Sequence, residues 1–151
     1  MLPDTADRVT HNTAEEINER IRRQTDERVA RISAAGPQAI ENRLAELDEE
    51  WDIERYVETL APTFTLTGLL LGATVSKRWL IFPAVVQAFF LQHALQGWCP
   101  PVPVLRRFGV RTYMEIEEER TALKALRGDF NAVRPGAARG AARRAVEAAR
   151  K

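Results

Sequence analysis

The 151-residue chain has one cysteine, two histidines and almost no charge between Ala61 and Leu105, where only Lys77 and Arg78 of its 43 charged residues fall. A lone cysteine excludes an internal disulfide framework. His11 and His93 stand too far apart for a zinc pattern of the C-x-x-C or H-E-x-x-H kind. The phosphate cradles G-x-G-x-x-G and G-x-x-x-x-G-K-[ST] are missing, and so is the G-x-S-x-G nucleophile elbow. No metal site, cofactor or catalytic residue is therefore expected, and the chain is not read as an enzyme. Charges recur through the first thirty residues without an apolar run, so no cleavable signal peptide is expected, and membrane insertion would need an internal segment.

The charge is concentrated in the flanks. Outside residues 61–105 about 39% of positions are charged, the N-terminal sixty residues being net acidic and the stretch after Leu105 net basic. A basic end beside an apolar segment suits an anionic lipid surface. Nucleic acid is not an expected partner, because no aromatic residue lies among the arginines after Phe130 and no base-reading motif occurs.

Hydrophobic periodicity predicts an all-α chain. Residues 1–12 read as a flexible N-terminus. Over 13–58 runs a charged amphipathic arm in which Thr13 and Glu16 form a capping box, with Ile17, Ile21, Val29 and Ile32 near one stripe. Gly36-Pro37 ends that helix, and a second carries Ile40, Leu44, Leu47 and Trp51, then Ile53, Val57 and Leu60. Paired amphipathic helices, a short coiled coil and helices lying on a membrane all fit; a solvated helical hairpin is the plainest reading.

Residues 59–98 read as a transmembrane helical hairpin. Thr59–Ser76 is 18 residues without charge and Trp79–Leu105 is 27, each enough for a bilayer-spanning helix of about 20 residues. Trp79 and Trp98 stand about 28 Å apart along a helix, matching a hydrocarbon core of about 30 Å, as interfacial anchors would. The helices must support each other, since four threonines interrupt the first and Gln87, Gln92, His93 and Gln96 oppose insertion of the second. Ala61, Thr65, Gly68, Gly72 and Ser76 form a face of small residues for close packing, and a turn at 77–78 predicts Gly68 level with Gln87 and Thr63 level with Gln92. Beyond it, 99–112 reads as a Pro-rich extended link, 113–130 as a helix opened by a Thr112–Glu115 capping box and closed at Gly128, and 131–151 as a basic Ala/Arg-rich tail, disordered in water.

The string Gly97-Trp98-Cys99-Pro100, after Gln92-His93-Ala94-Leu95-Gln96 and before Val104–Thr112, resembles the YgaP-like transmembrane family. The resemblance spans roughly residues 48–130 and implies a short two-helix inner-membrane hairpin, sometimes fused to a rhodanese sulfurtransferase domain. No α/β rhodanese domain accompanies it here, and the charged N-terminal helices are additional, so sulfurtransferase activity is not carried over. A sulfurtransferase stays a candidate partner on this resemblance alone. Cys99 is the one candidate thiol site, but a position beyond a helix C-terminus and beside a bilayer raises a thiol pKa, which favours a structural role. His93 reads as a polar packing residue.

The expectation is a small integral protein of a bacterial inner membrane with both termini cytoplasmic, acting as a scaffold or accessory subunit, with the bilayer and a second copy of the chain as partners. Its rivals are a soluble all-α oligomer and a thiol-dependent sulfur-handling or redox accessory protein using Cys99.

Overall fold

A computed structural model describes residues 4, 6–131, 133 and 139–149, and it is all-helical, with no strand among the described residues. The elements are α1 (Arg8–His11), α2 (Glu15–Ala34), α3 (Pro37–Glu49), α4 (Ile53–Thr74), a 3-10 turn at Lys77–Leu80 running into α5 (Ile81–Gln96), α6 (Pro101–Arg107), α7 (Tyr113–Arg127) and α8 (Arg139–Ala149). They form two compact units, residues 1–22 with 51–115 and residues 23–50 with 116–151.

In the first unit, α4 and α5 form an antiparallel pair whose terminal end is closed by α1 and α6. Its core holds Val9, Ile53, Val57, Cys99 and Val102, with Phe90, Leu105 and Val110 packed around it. Asp52 starts α4 by accepting from the Arg55 backbone N–H (2.7 Å), while the Ile53 N–H donates to the Arg111 carbonyl (2.9 Å). In the second unit, the apolar stripes of α3 and α7 meet through Ile40, Leu44, Leu47, Ile116 and Leu123, and Val29 and Ile32 of α2 join them. Glu119, fully buried, accepts there from Arg28 (2.9 Å) and from Arg43 (2.8 Å). Its carboxylate and the neighbouring Glu46 and Glu50 hold the Arg43 guanidinium charged against the opposing effect of burial.

Several local expectations are corrected. Of residues 1–12, expected to be flexible, 1–3 and 5 lie outside the described residues, whereas 8–11 form α1 and Val9 is a core residue packed with Ile53 and Cys99. Thr13 does not cap α2, which begins at Glu15; its hydroxyl donates instead to the Val9 carbonyl (2.8 Å). The second helix does not run unbroken through Trp51, since the Asp52 cap competes for the backbone and restarts the chain as α4. Trp51 lies between the helices with the Arg55 guanidinium over its ring at 4.4 Å.

The Pro-rich link is not extended. Pro100, Pro101 and Pro103 occupy the cap and first turn of α6, where the missing N–H groups would have had no helical partner. In the basic tail, expected to be disordered, residues 139–149 form α8, and Lys124 Nζ donates to the Ala149 carbonyl (3.2 Å). The Thr112–Glu115 capping box forms in both directions, the Thr112 N–H donating to Glu115 (2.8 Å) and the Glu115 N–H to Thr112 (3.3 Å). Gly128 closes α7 in the left-handed region at φ 92°.

Candidate functional site

The α4–α5 pair is built around its glycines. A β-carbon at Gly68 would lie 2.5 Å from Pro83 Cδ and 2.9 Å from Phe82 Cδ1, and one at Gly72 would lie 2.4 Å from Leu80 Cδ2. Backbones approach here as only glycine allows. One turn further from the connection, Gln87 Nε2 donates to Thr65 Oγ1 (2.7 Å), linking the helices by a side-chain hydrogen bond. Ala61 is buried on the same helix. Ser76 does not extend this face: α4 ends at Thr74, and Ser76 is the exposed N-cap of the 3-10 turn, accepting from the Arg78 N–H (3.4 Å).

The helices therefore pair about one turn out of the expected register, Gln87 meeting Thr65 rather than standing level with Gly68. The cause is at the connection. Both the Val75 and Ser76 N–H groups fold back onto the Leu71 carbonyl, so the chain reverses earlier and the second helix starts at Lys77 instead of Trp79. Pro83 sits in the first turn of α5, where its ring packs on Gly68.

Polarity in these helices is largely absorbed internally. Thr59, Thr63, Thr67 and Thr74 each donate to the carbonyl four residues earlier at 2.7–2.8 Å. Gln92 is half-buried, and Gln96 is exposed with its carbonyl taken by Asn12 Nδ2 (2.6 Å). His93 is 3% exposed, and neither ring nitrogen has a hydrogen-bond partner among the described residues. The ring contacts of the two tryptophans are internal to this unit, Trp79 on Phe82 (6.4 Å) and Trp98 on Phe89 (6.3 Å). The outer surface is apolar: Leu66, Leu70, Ile81 and Leu91 are each 61–67% exposed. Among the described residues one stretch, Lys77–Gln96, is long and apolar enough to cross a membrane.

Beside the glycine contact the helices part around a half-open cavity of about 370 Å³. Sequence reasoning missed it, because a void depends on how two helices diverge and no residue pattern marks it. Sequence reasoning also missed the ion pair of Arg8 with Glu54 (3.2 Å), two residues 46 positions apart. Burial pushes the Glu54 carboxyl up, and its own backbone hydrogen bond and Arg8 only partly offset this.

Cys99 is buried at the cavity's edge. Burial pushes its thiol up, partly offset by a hydrogen bond from the Val102 N–H. Arg106 gives it no charge support, being turned toward Asn18 and Glu115. Maleimide labelling of the folded protein at neutral pH is expected to be slower than that of a model thiol and to become complete on unfolding. Fast labelling of the folded chain would return Cys99 to consideration as a reactive site. No group of three or more metal-ligating side chains occurs among the described residues.

The chain matches no protein-family model, no curated protein and no solved structure.

Proposed function

We propose that this chain is a small integral membrane protein of the YgaP-like kind, in which α4 and the helix from Lys77 to Gln96 enter the bilayer as a hairpin and the helical flanks act as a scaffold or accessory subunit. The observation that carries the reading is the surface of the hairpin. Its large side chains point outward in numbers that water does not tolerate on a monomer, while its threonines and Gln87 are satisfied within the unit, the arrangement a helix needs in hydrocarbon. The two helices differ in reach. The second offers 20 residues, or about 30 Å; the uncharged part of α4, Thr59–Thr74, offers about 24 Å, so Arg55 and Glu58 must extend toward the headgroups.

Positive charge orients the hairpin. Arg43, Arg55, Arg106, Arg107, Arg111, Arg120 and Lys124 lie within about twenty residues of its ends, against Lys77 and Arg78 in the turn, which favours a cytoplasmic location for both termini. Carbonate washing of membranes should leave the protein in the pellet, and a phosphatase fused at residue 151 should be inactive while a turn site is labelled from outside intact cells. Release into the carbonate supernatant would favour a soluble oligomer that covers the same apolar surface with copies of itself; an active C-terminal phosphatase would invert the topology. The buried, weakly acidic Cys99 thiol supports neither a sulfur carrier nor a redox role.

A further inference from the structure

In the first unit the short helix α1 is seated on the C-terminal end of α5. Gly97 makes the seat. It lies in the left-handed region at φ 75°, and a β-carbon there would stand 2.4 Å from both the carbonyl carbon and the carbonyl oxygen of Arg8. Asn12 Nδ2 donates across the same contact to the Gln96 carbonyl (2.6 Å), Arg8 reaches Glu54 on α4 (3.2 Å), and Val9 is the one buried residue of the helix. Asn18 Nδ2 donates to the Thr10 carbonyl (2.9 Å), a bond that ties the segment to α2 rather than to α5. His93 stands one turn before Gly97, which puts it on the face that α1 covers; it is buried, and neither ring nitrogen has a partner among the described residues. The charge that bears on it is Arg8. Of the other titratable groups nearby, Asp7 and His11 of α1 and Arg55 and Glu58 of α4 are exposed, and Glu54 is engaged by Arg8. On the remaining side the Cys99 thiol is kept protonated by burial, Arg106 is turned toward Asn18 and Glu115, and Arg107 is exposed.

We propose that His93 is a proton-sensitive latch for α1, which stays seated on α5 while the imidazole is neutral and lifts away when the imidazole takes a proton from solvent. A neutral imidazole can lie under this cover. An imidazolium cannot, because neither nitrogen has an acceptor and Arg8 is a like charge beside it, so the cation is accommodated only where α1 has left and water enters. One proton is taken up per opening, which limits the rise in the open population to about tenfold per pH unit. Glu54 acts in the opposite sense: burial pushes its carboxyl up, so the seated state takes that proton more readily than the open one, and acid acting through Glu54 holds α1 down. Opening also uncovers Cys99, against which Val9 packs. All of these contacts lie within the first unit, whether or not α4 and α5 enter a bilayer.

Cys99 reports the opening. The full chain in mild detergent is treated with 4,4′-dithiodipyridine, a disulfide reagent that labels thiols in acid, and each rate is divided by that of glutathione at the same pH. Between about pH 7.5 and about pH 5 the relative rate of wild type should rise roughly tenfold or more, no more steeply than about tenfold per pH unit, with helicity by circular dichroism unchanged. His93→Gln, which cannot take the charge, should keep the relative rate flat, and His93→Leu replaces it if the glutamine variant loses helicity. Gly97→Ala should label fast at both pH values, since its β-carbon meets the Arg8 backbone and unseats α1 without a proton. A flat wild type, a rise that survives in the His93 variant, or a Gly97→Ala protein whose Cys99 stays protected would overturn the inference. Loss of wild-type helicity in acid would overturn it as well, because general unfolding and not the release of α1 would then expose the thiol.

Discussion

Replacing Gly68 and Gly72 together with isoleucine should drive the α4 and α5 helices apart without lowering their hydrophobicity. Any β-carbon at these positions lands inside van der Waals distance of α5 and the turn before it. The two sites are unequal. At Gly72 the obstacle is the end of the Leu80 side chain, which can swing to another rotamer, whereas at Gly68 it is the ring of Pro83, which has nowhere to turn. Overpacking of this kind typically destabilises by about 1–3 kcal/mol per site. Separating the axes also breaks the Gln87–Thr65 hydrogen bond. For a chain of this size each kcal/mol lowers the melting temperature by about 2–4 °C. Thermal unfolding in detergent should show a loss for Gly68→Ala larger than for Gly72→Ala, and the largest for the double isoleucine variant. Unchanged melting of the double variant would mean that this face is not a close contact between the two helices.

What could be read in the sequence was whatever local chemistry decides. The all-helical class followed from periodicity, the Thr112–Glu115 box from two residues three apart, and the breaks at Gly36 and Gly128 from glycine's access to positive φ. The small-residue spacing singled out Gly68 and Gly72, but not the residues they face. Register depends on where the chain reverses, and that was decided by two backbone N–H groups converging on the Leu71 carbonyl. The prolines after Cys99 misled for a related reason. Proline forbids a helix interior and favours a helix start, and only the position of the neighbouring turn separates these outcomes. The Arg8–Glu54 and Arg106–Asn18 contacts carried no signal, because the two residues of each lie 46 and 88 positions apart in the chain.

Arg106 should be the most sensitive single charged position in the first unit. It is fully buried at the end of α6, and its guanidinium forks onto both Glu115 oxygens (2.6 and 2.8 Å) while also donating to the Val110 carbonyl (3.1 Å) and Asn18 Oδ1 (2.8 Å). Asn18 in turn donates to the Thr10 carbonyl (2.9 Å), so one cation ties the α1–α2 junction, α6 and the cap of α7 together. Arg106→Ala leaves a mostly buried carboxylate and an amide oxygen without their donor, a loss of about 3–5 kcal/mol where one partner of a buried pair is removed. Arg106→Lys keeps the charge but cannot make the planar two-pronged contact, so it should recover only part of the loss. Glu115→Ala should be nearly as damaging, since it also removes the acceptor for the Thr112 N–H. The decisive measurement is the double variant. If the fork is one cooperative unit, removing both ends should cost less than the two single losses added together, with a coupling of about 0.5–3 kcal/mol in thermal or denaturant unfolding. Strict additivity would mean that Arg106 is held by packing of its aliphatic stem and that the contact to Glu115 contributes nothing of its own.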